Sequence, residues 1–318
     1  MRFNPKARLD TSRTRDVGGS GSGGSVGGGL GGGGGIPIPG GLKAGGGIGA
    51  IIVALLVWFL SSQLGGSSST SLDASAFSGA GVTGSDSGSE FDYSQCQTGD
   101  DANNHAECAL VAVENSLTDY WKDQPQVQGR FHPENAVEVF HGSVQTDGCG
   151  TATSDVGPFY CPGDQTIYLD TDFFTTIFAQ LGGQDSPFVR AYVIAHEYGH
   201  HIQNLLGTMS QVKTQQGPKS DSVRLELQAD CYAGMWTAAA EGDGLIEDIT
   251  DQDIQEGIAA AHDVGDDYIQ NRMQNGTNPE SWTHGSSAER VAWFNAGRSA
   301  NDDINGCDTF GTNDLDNP

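Results

Sequence analysis

Residues 188–206 read FVRAYVIAHEYGHHIQNLL, an apolar run at helical spacing that carries the pattern H-E-x-x-H at His196, Glu197 and His200. Residues four apart on a helix lie one above the other, so His196 and His200 point to the same place. Two neutral imidazoles at that separation can grip one Zn²⁺. Glu197 then stands beside the open coordination position as a general base. The three fixed letters also occur by accident on ordinary polar helices, and the setting separates the two cases. Residues 191–195 are apolar and uncharged, as suits a helix buried beneath a cleft. An accidental match on a surface helix would sit among Lys, Arg and Asp.

A catalytic zinc takes a third protein ligand and leaves a fourth position for water. The best candidate is Glu226, in the run RLELQAD at 224–230. Glu226 and Asp230 are again four apart on one helical face, with Ala229 and Ala233 allowing close helix packing. Glu226 completes a His-His-Glu set, and Asp230 can hold a ligand imidazole by its other N–H. Solvated Glu/Asp faces are common on helices. Here, however, Leu225, Leu227, Cys231, Met235 and Trp236 make an apolar setting, where an unpaired carboxylate is costly.

The chain of 318 residues has a formal charge of −26, unevenly spread. Residues 1–64 hold six Lys/Arg and two acids, and the remainder holds nine and 39. So acidic a remainder repels nucleic acid and anionic lipid, which argues against a polyanion- or lipid-binding scaffold. Residues 1–44 read as a disordered basic, then Gly-rich, cytoplasmic leader. Residues 45–64 carry no charge and centre on IGAIIVALLVWFL at 48–60. Twenty helical residues at about 1.5 Å each reach about 30 Å, one hydrocarbon thickness. The basic-before, acidic-after pattern predicts an uncleaved single-pass cell-membrane anchor, with the N-terminus cytoplasmic and the domain extracytoplasmic. Residues 65–90 form a Gly/Ser-rich linker, and 91–318 the folded domain.

All six cysteines, Cys96, Cys108, Cys149, Cys161, Cys231 and Cys307, lie beyond residue 64. An even count in an exported domain predicts disulfides. Fifteen connectivities are open; pairing Cys96 with Cys108, Cys149 with Cys161 and Cys231 with Cys307 is preferred. Periodicity predicts helices at 105–121, 223–240, 251–273 and 288–298, and strands at 136–144 and 165–170. Residues 148–162 read as a loop or hairpin. An edge strand beside the 188–206 helix would hold an extended peptide by strand addition. His201, adjacent to His200, cannot face the same metal and reads as a surface or packed residue. His105, His132, His141 and His262 have no partner at ligand spacing. Asp263, Asp266 and Asp267 read as a solvated helix face.

HEYGHHIQ, ELQADCYAGMW, GPFYCPGDQTIYLD and SWTHGSSAERVAWF together resemble the bacterial neutral zinc metallopeptidase family, membrane-anchored proteins. The order H-E-x-x-H, E-x-x-x-D, T-H-x-x-x-x-x-R is also similar to the CAAX-processing and heat-shock membrane metallopeptidases, which have Pro where this chain has Gly285. The resemblance implies His196, His200 and Glu226 as zinc ligands, Glu197 as base and Asp230 behind a ligand. It also implies His284 and Arg290 as catalytic groups: His284 donating to the carbonyl oxygen as charge grows there, Arg290 holding a carboxylate or orienting substrate. The expectation is an α+β, mainly helical zincin-like domain with a small sheet after one transmembrane helix. It would be a gluzincin-like zinc metalloendopeptidase acting on peptide or protein substrates. The competing expectation is a metal-stabilised, non-catalytic exported binding module.

Overall fold

The computed structural model describes residues 1–18, 91–274 and 276–318. Among the described residues, eight short strands and six longer helices make an α+β fold built around one helix. The strands are β1 (Arg2–Phe3), β2 (Thr14–Gly18), β3 (Ala136–Phe140), β4 (Ser143–Gln145), β5 (Thr151–Thr153), β6 (Phe159–Cys161), β7 (Thr166–Asp170) and β8 (Ile246–Asp248). The helices are α1 (Ala106–Lys122), α2 (Pro187–Leu206), α3 (Asp221–Ala239), α4 (Asp251–Asp263), α5 (Asp266–Gln274) and α6 (Ser287–Ser299).

Helix α2 has a defined start and stop. The Ser186 hydroxyl accepts from the N–H of Val189, Pro187 occupies the first turn, and Gly207 closes the helix at φ +81°. From Ile194 to Gln203 every residue is buried, so this stretch of the helix is enclosed on all sides. It packs on α1, α3 and α4. Close approach to α3 depends on Gly199, where a Cβ would lie 3.1 Å from the Ala229 backbone. Helices α3 and α6 touch at backbone level: a Cβ on Gly297 would sit 1.9 Å from the Cys231 carbonyl oxygen, and one on Gly234 2.1 Å from that of Phe294.

The main sheet has the order β2-β3-β7-β6. Strands β2, β3 and β7 run parallel, and β6 lies antiparallel to β7 on the edge beside α2. The predicted strand at 136–144 bends at Gly142 (φ +71°), so β3 ends at Phe140 and the chain turns into the β4–β5 hairpin. The predicted helix at 251–273 is broken into α4 and α5. A Cβ on Gly265 would meet the Ser287 backbone at 2.4 Å, and Asp267 accepts from the Ser287 N–H at 2.7 Å. Three disulfides, Cys96–Cys108, Cys149–Cys161 and Cys231–Cys307, match the preferred pairing.

The N-terminal segment departs from its expected place. Residues 1–18, read as part of a disordered leader, supply β1, paired with β8, and β2, paired with β3. The expected span at 45–64 and linker at 65–90 lie outside the described residues. Among the described residues no helix is long and apolar enough to cross a membrane. The single-pass arrangement, with the N-terminus and the domain on opposite sides of the cell membrane, is overturned by the sheet itself. Asp16 accepts from the N–H of Gly18 at 2.8 Å and from that of Phe91 at 3.0 Å, so residues 18 and 91 meet on one side chain.

Candidate metal centre

Helix α2 brings His196 and His200 onto one face, and α3, crossing behind Gly199, brings Glu226 to them. The Nε2 of His196 is 3.2 Å from Glu226 Oε2, and that of His200 is 3.5 Å from Oε1. One ligand atom from each of the three residues lies within 4.8 Å of the other two. All three side chains are buried. Two imidazoles and one carboxylate converging with their free donors inward suit Zn²⁺ in both chemistry and number.

Each imidazole is held from behind. The Nδ1 of His196 meets Asp230 Oδ1 at 2.9 Å, and the Nδ1 of His200 meets Gln203 Oε1 at 2.8 Å. Asp230, fully buried, also accepts from the Tyr192 hydroxyl at 2.5 Å and from Arg290 Nε and Nη2 at 2.8 and 3.0 Å. A carboxylate this deep is costly unless paired and hydrogen-bonded, and Arg290 and Tyr192 meet both conditions. Arg290 is therefore engaged by Asp230. Of the roles expected for it, holding a carboxylate is the one its contacts fit.

The two imidazoles are shifted in opposite directions. Burial disfavours a charged His196, but Asp230 and Glu226 outweigh it and push the ring up to about 10. Burial dominates at His200 and pulls it down to about 4. Burial acts against ionised Glu226 too, yet the neighbouring rings of His200, His196 and His284 hold it far below the usual carboxylate range. Glu197 is pushed up to about 7, mainly by burial, against His196 and a hydrogen bond from the Tyr160 backbone. That last contact sets edge strand β6 directly alongside the base.

His284 lies close enough to Glu226 to stabilise its charge. Its Nδ1 faces Asp266 Oδ1 at 3.3 Å and the Thr283 hydroxyl at 2.8 Å. Asp266, read from sequence as part of a solvated face, is buried and accepts from the backbone N–H groups of Thr283, His284 and Gly285. It orients the loop that carries His284. The break between α4 and α5 makes this possible, and the helical spacing around it gave no sign of a break. His201 is packed rather than exposed: its ring spans Tyr160 Oη at 3.0 Å and the His132 carbonyl oxygen at 2.8 Å. Tyr192 and Gln203 also escaped the sequence reading. Their signal was spacing on the same helix, four before His196 and three after His200.

A family model described as "Putative neutral zinc metallopeptidase" matches residues 6–310. The uncharacterized protein Rv2575 of Mycobacterium tuberculosis is 49% identical over 233 residues, covering 71% of this chain and 78% of that protein. The uncharacterized protein YpfJ of Escherichia coli is 40% identical over 199 residues, covering 61% of this chain and 67% of its own length. No solved structure matches.

Proposed function

This chain belongs to the neutral zinc metallopeptidase family, and from that premise we propose that it is an endopeptidase whose zinc is held by His196, His200 and Glu226. The observation that carries the reading is the convergence of those three donors beside Glu197, with both imidazoles already held through Nδ1. Bound there, zinc supplies a Lewis acid for water and for the scissile carbonyl. Glu197, buried and pushed up to about 7, takes a proton from water and hands it to the leaving amine. His284, oriented by Asp266, donates to the carbonyl oxygen as charge grows there. Strand β6 offers an edge to which an extended substrate backbone adds as a further strand. Gripping backbone rather than a terminus favours cleavage within a chain.

The test is Glu197→Gln. It removes the base and none of the donors, so the variant is expected to bind zinc like the parent and to lose peptide hydrolysis by at least 10²-fold. Full hydrolysis by that variant on an unstructured peptide library would remove the proposal. A metal-binding but non-catalytic module would show zinc uptake in parent and variant alike, with no hydrolysis in either.

A further inference from the structure

Gln203 is fully buried, and each polar atom of its amide has a partner. Its Nε2 donates to the Leu225 carbonyl oxygen at 2.7 Å and to Gln228 Oε1 at 3.1 Å. A backbone carbonyl can only accept, so the Leu225 contact fixes which end of the amide is nitrogen. The end that meets His200 Nδ1 at 2.8 Å is then oxygen, which also can only accept. The proton of the neutral ring therefore sits on Nδ1, and the lone pair sits on Nε2, the atom 3.5 Å from Glu226. The same logic runs one residue further. Gln228 Nε2 donates to the Cys307 carbonyl oxygen at 2.9 Å, which turns Gln228 Oε1 toward Gln203. Gln203, Gln228 and Cys307 are all buried, and Cys307 is bonded to Cys231 of the helix that carries Gln228 and Glu226.

We propose that Gln203 and Gln228 are positioning residues, a two-amide relay that holds His200 in its Nδ1–H tautomer with Nε2 facing His196 and Glu226. The Cys231–Cys307 disulfide anchors the far end of the relay. The two imidazoles are thus held by different means, His196 by a charged Asp–Arg pair and His200 by neutral amides ending on a carbonyl. The consequence for zinc rests on the function proposed above, whereas the tautomer does not.

The experiment uses the full chain and two readouts. Imidazole ¹⁵N NMR of the metal-free protein reports the His200 tautomer, and chelator competition reports zinc affinity. The parent is expected to show a protonated Nδ1 and an unprotonated Nε2. Gln203→Met fills the volume without an acceptor and is expected to lose that signature and 10–100-fold in zinc affinity. Gln228→Met breaks the relay one step out and is expected to lose several-fold, which keeps the test open if Gln203→Met does not fold. An unprotonated Nδ1 in the parent, or Gln203→Met retaining both signature and affinity, would overturn the relay. A parent that binds no zinc would sink the proposed function and leave the NMR readout to decide the relay.

Discussion

Replacing Arg13 with Gln should destabilise the whole fold, although Arg13 lies in a segment whose sequence reads as a leader. Arg13 directly precedes β2. Its Nε and Nη2 donate to Glu114 Oε1 at 2.9 and 2.7 Å, and Nε lies 3.7 Å from Glu134 Oε1. The residues Glu114 and Glu134 are 0% and 1% exposed. Burial, then the adjacent Glu114, raise Glu134 well above its ordinary 4.5. One guanidinium thus faces two buried carboxyl groups. Removing one partner of a buried pair costs about 3–5 kcal/mol. The Arg13 side chain is 19% exposed, so the lower end, about 3 kcal/mol, is expected. That corresponds to a melting temperature lower by roughly 6–12 °C in a domain of this size. The double variant Arg13→Gln/Glu114→Gln removes both partners of the closest contact and should return to within about 1 kcal/mol of the parent. Glu134 adds a pH signature. Its pKa is raised on folding, so the folded chain binds more protons than the unfolded one above pH 4.5. The stability it contributes is full below that pH and is lost as pH rises through the folded value; Glu134→Gln should remove this slope. Urea and thermal denaturation of the full chain measure all of these. If Arg13→Gln melted within about 2 °C of the parent, the seating of residues 1–18 in the sheet would be refuted.

Gly297→Ala is expected to destabilise by about 2–3 kcal/mol, because its Cβ would fall 1.9 Å from the Cys231 carbonyl oxygen of the facing helix. Gly242→Ala, with nothing within 4 Å, is the control, and equal urea midpoints for the two would rule out the backbone-level crossing. Asp230→Asn removes the charge that both Arg290 and His196 face. A loss of about 3–5 kcal/mol in stability and of 10–100-fold in zinc affinity is expected by denaturation and chelator competition. Unchanged zinc affinity in that variant would show that Asp230 does not hold His196 in place.

The site was largely legible because its information is local. His196, Glu197 and His200 share one helix turn, and Glu226 and Asp230 another, so helical geometry alone pairs them before any tertiary contact is known. The disulfides followed similarly for the two pairs only 12 residues apart, and Cys231–Cys307 was then the remaining pair. What could not be read depends on partners far away in sequence. Asp266 looks solvated until the 283–287 loop is laid against it. Which carboxylate Arg290 holds is hidden until α3 places Asp230 against it, to which it donates two hydrogen bonds. Gln203 and Gln228 stand inside the recognised motifs, yet their use appears only when both amides are oriented by carbonyls contributed from elsewhere.

The N-terminal segment shows how one charge pattern supports two opposite structures. A basic stretch followed by an acidic domain fits a leader held across a membrane from that domain. It equally fits a strand docked onto the domain, because the same segregation supplies complementary partners. Residue by residue, the second is what forms. Arg2 meets Glu247 at 3.3 Å, Arg13 meets Glu114, and Arg15 Nε donates to Glu138 at 2.9 Å from the neighbouring strand. Exposed pairs of this kind are worth little each. Arg13 differs because two of its acids, Glu114 and Glu134, are buried, and a buried carboxyl pair has no solvent to fall back on. The segment's place is therefore decided by one guanidinium set against buried acids and by its strand pairings, neither of which net charge or hydropathy along the chain can register.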